Sequence, residues 1–95
     1  MPRPRMRRNV RGRPNSDYFK PGGIPLRELE ESVLELAEFE VVRLIDFKGF
    51  SQQEAGEQMH ISQSTLSRTL DSARKKIAEA IVQGKAIRIE TKNDE

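Results

Sequence analysis

Between Ser51 and Ile77 the sequence sets a cap, a small residue, a turn residue, a second cap and a row of aliphatic anchors at fixed spacing, which leaves this segment few ways to fold. Ser51-Gln52-Gln53-Glu54 is a capping box: the serine hydroxyl accepts from the N–H of Glu54, and the Glu54 carboxylate reaches back to the N–H of Ser51. The helix it opens is short and is predicted to end near Met59. Ala55 and Gly56 keep one side of it small, so that a second helix can cross closely. His60 stands four positions after Gly56, where the chain must turn through positive φ; glycine does this most easily, and histidine is among the residues enriched there. Ile61 gives the apolar residue just after the turn, and Ser62 caps the second helix, with Thr65 in place of the usual acid. Leu66, Leu70, Ala73 and Ile77 then recur at helical spacing. The second helix is predicted to run to about Gln83, where Gly84 ends it. The whole is a helix-turn-helix over about residues 51–82, an arrangement that can lay its second helix in the DNA major groove.

If Leu66, Leu70, Ala73 and Ile77 point inward, a rotation of about 100° per residue centres the opposite face on Arg68. Gln63, Ser64, Thr65, Ser67 and Arg68 are therefore the candidates for reading bases. Gln and Arg match adenine and guanine edges, and Ser and Thr suit either base or phosphate. Ser62, Ser72, Arg74, Lys75 and Lys76 are candidates for phosphate, as are the arginines near the N-terminus. Asp71 on this face would repel DNA if it lay close to it.

The rest of the chain divides by charge. Residues 1–20 carry Arg3, Arg5, Arg7, Arg8, Arg11, Arg13 and Lys20 against Asp17 alone. Residues 21–50 carry Arg27, Arg43 and Lys48 against Glu28, Glu30, Glu31, Glu35, Glu38, Glu40 and Asp46. A basic arm on a near-neutral body points to a polyanionic partner. Pro2, Pro4 and Pro14, with no apolar period between them, make this arm extended and mobile in expectation. Lys20-Pro21-Gly22-Gly23 is turn chemistry. Pro25 can open a short helix through Glu31. Leu36 to Lys48 is predicted as a helix apolar nearly all round, and hence central, with Gly49 as its left-handed cap. Lys85 to Glu90 is a candidate strand with Ile87 and Ile89 on one face. Residues 91–95 form a polar tail.

Other functions find no residues to carry them. The chain lacks a run of about 18 apolar residues, so no membrane span is expected. It has no cysteine and one histidine, which leaves no disulfide, no thiolate metal site and no all-protein zinc site. That fits a cytoplasmic protein with no metal and no cofactor. Many carboxylates are present, but a core this small offers them no pocket, and His60 is better explained as a turn residue than as a catalytic base; an enzyme is not expected.

Phe39-Glu40-Val41-Val42-Arg43-Leu44, the Ser-Gln-Gln-Glu-Ala-Gly cap, Ile61-Ser62-Gln63-Ser64-Thr65-Leu66 and Ala73-Arg74-Lys75-Lys76 resemble the promoter-reading C-terminal region of bacterial sigma factors. The opening Met-Pro-Arg-Pro-Arg, Tyr18-Phe19-Lys20-Pro21, Ile24-Pro25-Leu26-Arg27-Glu28-Leu29-Glu30 and Gly84-Lys85-Ala86-Ile87-Arg88-Ile89 resemble an uncharacterised prokaryotic family of short, predicted DNA-binding proteins. The resemblance covers nearly the whole chain and implies a sigma-like helix-turn-helix, with no established biochemical role to carry over. The chain departs from the pattern at His60, where relatives usually have glycine, and in lacking a cysteine near the arm that many relatives carry.

The sequence is thus read as an all-α domain of about four helices over residues 21–90, with a flexible basic arm over 1–20 and a short C-terminal strand as an option. The expected function is sequence-selective binding of double-stranded DNA in transcriptional regulation. The alternatives are an adaptor that touches RNA polymerase through its acidic segment from Glu28 to Glu40, and an RNA-binding module whose arm folds on RNA. A lone strand needs a partner, either Tyr18-Phe19 of the same chain or a second chain. The second option predicts a two-fold homodimer through residues 77–90 and a palindromic site.

Overall fold

The computed structural model describes residues 10–91. Three α-helices and a three-stranded mixed sheet make up these residues, in the order β1 (Tyr18–Phe19), β2 (Glu31–Leu34), α1 (Leu36–Val42), α2 (Gln52–Met59), α3 (Gln63–Gln83) and β3 (Ala86–Ile89). A 3-10 turn at Leu26–Glu28 precedes β2, and a π-helical turn at Arg43–Phe47 prolongs α1. The all-α expectation is corrected to a mixed α/β fold.

The correction begins at Pro25. Its fixed φ starts a single 3-10 turn, but the backbone is already extended at Leu29, at φ −97 and ψ 136. From Glu31 the residues alternate outward and inward, with Ser32 and Leu34 buried. β2 pairs in parallel with β3, in the register Glu31 to Ala86 and Leu34 to Ile89, and β1 pairs antiparallel on its other side, Tyr18 to Arg88 and Phe19 to Ile87. The sheet order β1-β3-β2 makes β3 the central strand. Both of its edges are therefore filled from within the chain, and Tyr18-Phe19 is one of the two partners expected for it. At the C-terminal end of the segment read as the basic arm, residues 18 and 19 are strand, and the Asp17 carbonyl accepts from the Ile89 N–H at 2.9 Å.

α1 is central, as its composition requires, but not in the way its apolar residues suggest. Val41 and Leu44 are buried, and so are Glu38 and Glu40, whereas Phe47 is 82% exposed. The π-helical turn closes with the Lys48 N–H donating to the Arg43 carbonyl, and the extra residue in this turn carries Phe47 away from the core. Gly49 then stops the helix at φ 84.

Ala37, Val41, Leu44, Ala55, Met59, Leu66 and Leu70 form one core cluster, edged by Ile45, Phe50 and Ile61. Each fully buried leucine contributes about 1.5–3 kcal/mol by removal from water. The turn backbone folds closely over α2 at Gly56, where a Cβ would stand 3.3 Å from the Ile61 carbonyl oxygen. The sheet packs on the other end of the body, where the buried Ser32 hydroxyl donates to the Lys76 carbonyl in α3 at 3.1 Å.

Candidate nucleic-acid interface

The turn between α2 and α3 is built as its residues dictate. The Ser51 hydroxyl accepts from the Glu54 N–H at 3.0 Å and the Glu54 carboxylate accepts from the Ser51 N–H at 2.9 Å, so both halves of the box are present. His60 lies at φ 58 and ψ 46, the only non-glycine residue with positive φ among those described. Ser62 accepts from the Thr65 N–H at 3.1 Å. These caps fix where α3 starts and in which direction its first turn faces.

That first turn presents Gln63 and Ser64 to solvent, and Arg68 follows one turn later, also exposed. The Gln63 side chain donates to the Gln52 side chain at 3.3 Å, which ties the starts of α3 and α2 together. Ser67 is half-buried. Thr65 is also half-buried, and its hydroxyl accepts from Ser62 at 3.0 Å, so it serves the cap as much as the surface. Arg68 lines one wall of a cleft of about 320 Å³, with Glu35 and Glu38 of the α1 end opposite Thr65, Thr69, Ser72 and Lys76 of α3.

The phosphate candidates separate into two groups. Lys75 and Ser62 are exposed, and Lys75 has no carboxylate within ion-pair distance among the described residues. Ser72 and Lys76, by contrast, both turn to the buried Glu38: the hydroxyl donates at 2.5 Å and the ammonium at 2.7 Å. Arg74 forks onto Asp46 at 3.2 and 2.6 Å, a largely exposed pair worth about 0–1 kcal/mol. Its hydrogen bonds hold the Asp46 carboxyl below its ordinary range. Arg11 and Arg13 are exposed, while Arg3, Arg5, Arg7 and Arg8 lie outside the described residues.

Two carboxylates that sequence reasoning misses organise this region. Burial pushes Glu38 up, but the Lys76 and Ser72 donors and the Glu35 amide outweigh it and bring its pKa down. Glu40 is 1% exposed and is likewise pulled down against its burial, by the Arg43 guanidinium and by the backbone amides of Arg11 and Gly12. The signal available for Glu40 is Arg43, three residues on along the same helix. The signal available for Glu38 is Glu35, three residues back at the start of α1, from whose N–H it accepts at 2.9 Å; its other two partners, Ser72 and Lys76, are in α3 and leave no local trace.

The fold and surface define a small α/β domain with a braced pair of helices and an arginine-rich N-terminal segment. The chain belongs to a family described as protein of unknown function DUF134, which matches residues 1–94. A UPF0251 protein of Caldanaerobacter subterraneus subsp. tengcongensis is 52% identical over 93 residues, covering 98% of this chain and 79% of the relative. A UPF0251 protein of Moorella thermoacetica is 50% identical over 90 residues, covering 95% of this chain and 60% of the relative. One of Dehalococcoides mccartyi is 50% identical over 90 residues, covering 95% and 77%. No solved structure matches the chain.

Proposed function

We propose that this protein binds double-stranded DNA with sequence selectivity and acts in transcriptional regulation. The observation that carries the reading is the outward face of α3. Gln63, Ser64 and Arg68 share its exposed N-terminal half, and Lys75 continues the same side. The helix N-terminus is fixed by the Ser62 cap and by the Gln63–Gln52 bond. A helix held this way can enter the major groove with its first two turns, where Gln and Arg make bidentate contacts to adenine and guanine. The arginine-rich segment adds the sequence-independent attraction to phosphates.

The polymerase-adaptor alternative is weakened by the burial of Glu38 and Glu40, which removes two carboxylates from the acidic segment that would make the contact. The homodimer loses one of its supports, since β3 has both neighbours in its own chain. Ile81 and Val82, 73% and 80% exposed at the end of α3, are the apolar surface left for such a contact. Selection from a random duplex pool, with competition by RNA and by scrambled duplex, tests the proposal. A recovered consensus that outcompetes both competitors is expected. Equal competition by RNA, or enrichment without a consensus, would overturn it.

A further inference from the structure

We propose that Glu40 and Arg43 clamp the root of the arginine-rich segment, so that it leaves the body at Arg11 and Gly12 from a set point. This positioning role rests on the DNA-binding reading above.

Two independent observations carry it. The first is the saturation of a buried carboxylate. Glu40 Oε1 accepts from Arg43 Nε at 2.8 Å and from the Gly12 N–H at 3.2 Å, and Oε2 accepts from Arg43 Nη2 at 2.9 Å and from the Arg11 N–H at 3.1 Å. Two consecutive backbone amides are gripped, so the clamp holds main chain. The Arg11 and Arg13 side chains stay exposed on either side of the half-buried Gly12. The second is steric. A Cβ on Gly12 would overlap Arg43 at Nε, Cδ and Cζ, so the guanidinium lies where only glycine lets it lie. A tether needed only for stability could be an apolar side chain in a pocket. Burying a carboxylate instead is costly unless its partners are well placed, and what it provides is directional hold on the backbone.

The consequence is one of reach. Arg8 and Arg3 stand three and eight residues ahead of Arg11. With the clamp open, the next backbone anchor is Asp17, bonded to β3, which puts the same arginines nine and fourteen residues from a fixed point. Effective concentration falls roughly as the −3/2 power of tether length, so opening the clamp weakens the arginine contacts about two- to fivefold. The number of phosphate contacts does not change, so the salt slope is kept.

The test uses the full chain and two variants, Gly12→Ala and Glu40→Gln. Trypsin cleavage at the Arg11–Gly12 bond, measured without DNA, is expected to be several-fold faster in both. Gly12→Ala keeps every core side chain, so its melting temperature should stay close to that of the parent even if Glu40→Gln destabilises. Affinity of Gly12→Ala for the selected duplex should fall about two- to fivefold with an unchanged slope of log K against log salt. Cleavage at the parental rate in Gly12→Ala would overturn the clamp. Faster cleavage with unaltered affinity would overturn its positioning role. A parent chain that binds no duplex would overturn the DNA reading and the role built on it, and the two failures remain separable because cleavage is read without DNA.

Discussion

At His60 the backbone sits in the left-handed region while the side chain is exposed, so the residue bears the strain of the turn without a buried contact to offset it. An L-residue in this region costs about 1–2 kcal/mol, and replacement by glycine returns part of that, less the greater entropy glycine gives the unfolded chain. His60→Gly is therefore expected to leave stability unchanged or raise it by up to about 1 kcal/mol in urea unfolding; a clear loss would mean that the imidazole holds a contact. Glu38 and Glu40 set the behaviour in acid. Both have folded pKa values lowered from the ordinary 4.5, because their donors outweigh burial. A carboxyl with a depressed folded pKa contributes stability that is fully present above the unfolded value and is lost as pH falls through the folded one. The urea midpoint should thus hold down to pH about 5 and drop steeply below about 4. Arg43→Ala, which leaves Glu40 only its two amide donors, should cost about 3 kcal/mol at neutral pH, at the low end for a broken buried pair because water can reach the vacated Arg43 position. An acid transition equal to that of a chain with ordinary carboxylates would contradict both assignments.

α3 is the element on which the functional reading stands or falls. Arg68→Ala is expected to cost about 1–3 kcal/mol on a selected duplex and to relax preference at one base position, while Lys75→Ala should weaken selected and random duplexes alike. Titrations of both variants against both duplexes would decide it, and equal losses on each would remove Arg68 from base reading. The bounds of α2 and α3 are legible in the sequence because they are set locally: Ser51 and His60 for α2, and Ser62 and Gly84 for α3, each act on backbone within a turn of themselves, and each stands in the expected role. β2 is not legible, for the opposite reason. Glu30-Glu31-Ser32-Val33-Leu34-Glu35 has the acids of a helix start, and only the parallel pairing with the distant β3 makes it a strand. The cation row Arg74-Lys75-Lys76 looks uniform in sequence. Asp46 of the π-helical turn takes the first and Glu38 of the first turn of α1 takes the last, which leaves Lys75.

For the molecule as a whole, a net charge of +2 conceals a separation in which residues 1–20 carry +6 and the rest of the chain −4. The fold reinforces that separation, because Glu38 and Glu40 direct their charge to Lys76 and Arg43 inside the body. The long-range attraction to a polyanion then falls to the arginines, of which Arg11 and Arg13 are exposed beside the clamp. Removing residues 1–9 takes away Arg3, Arg5, Arg7 and Arg8 while retaining Arg11, Gly12 and every residue of the core cluster. The truncated chain should therefore unfold at the same urea midpoint as the parent. Each arginine–phosphate pair removed from the complex lowers the slope of log K against log salt by about 0.9, so four arginines that all meet phosphate would reduce it by about 3.6. The weakening should be equal on selected and random duplexes, because phosphate contacts carry no sequence information. This outcome differs from that of Gly12→Ala, where affinity falls and the slope stays. Binding measured from about 50 to 200 mM salt gives both quantities at once. A truncated chain with the parental slope would show that these arginines meet no phosphate, and selectivity and affinity would then have to come from α3 alone.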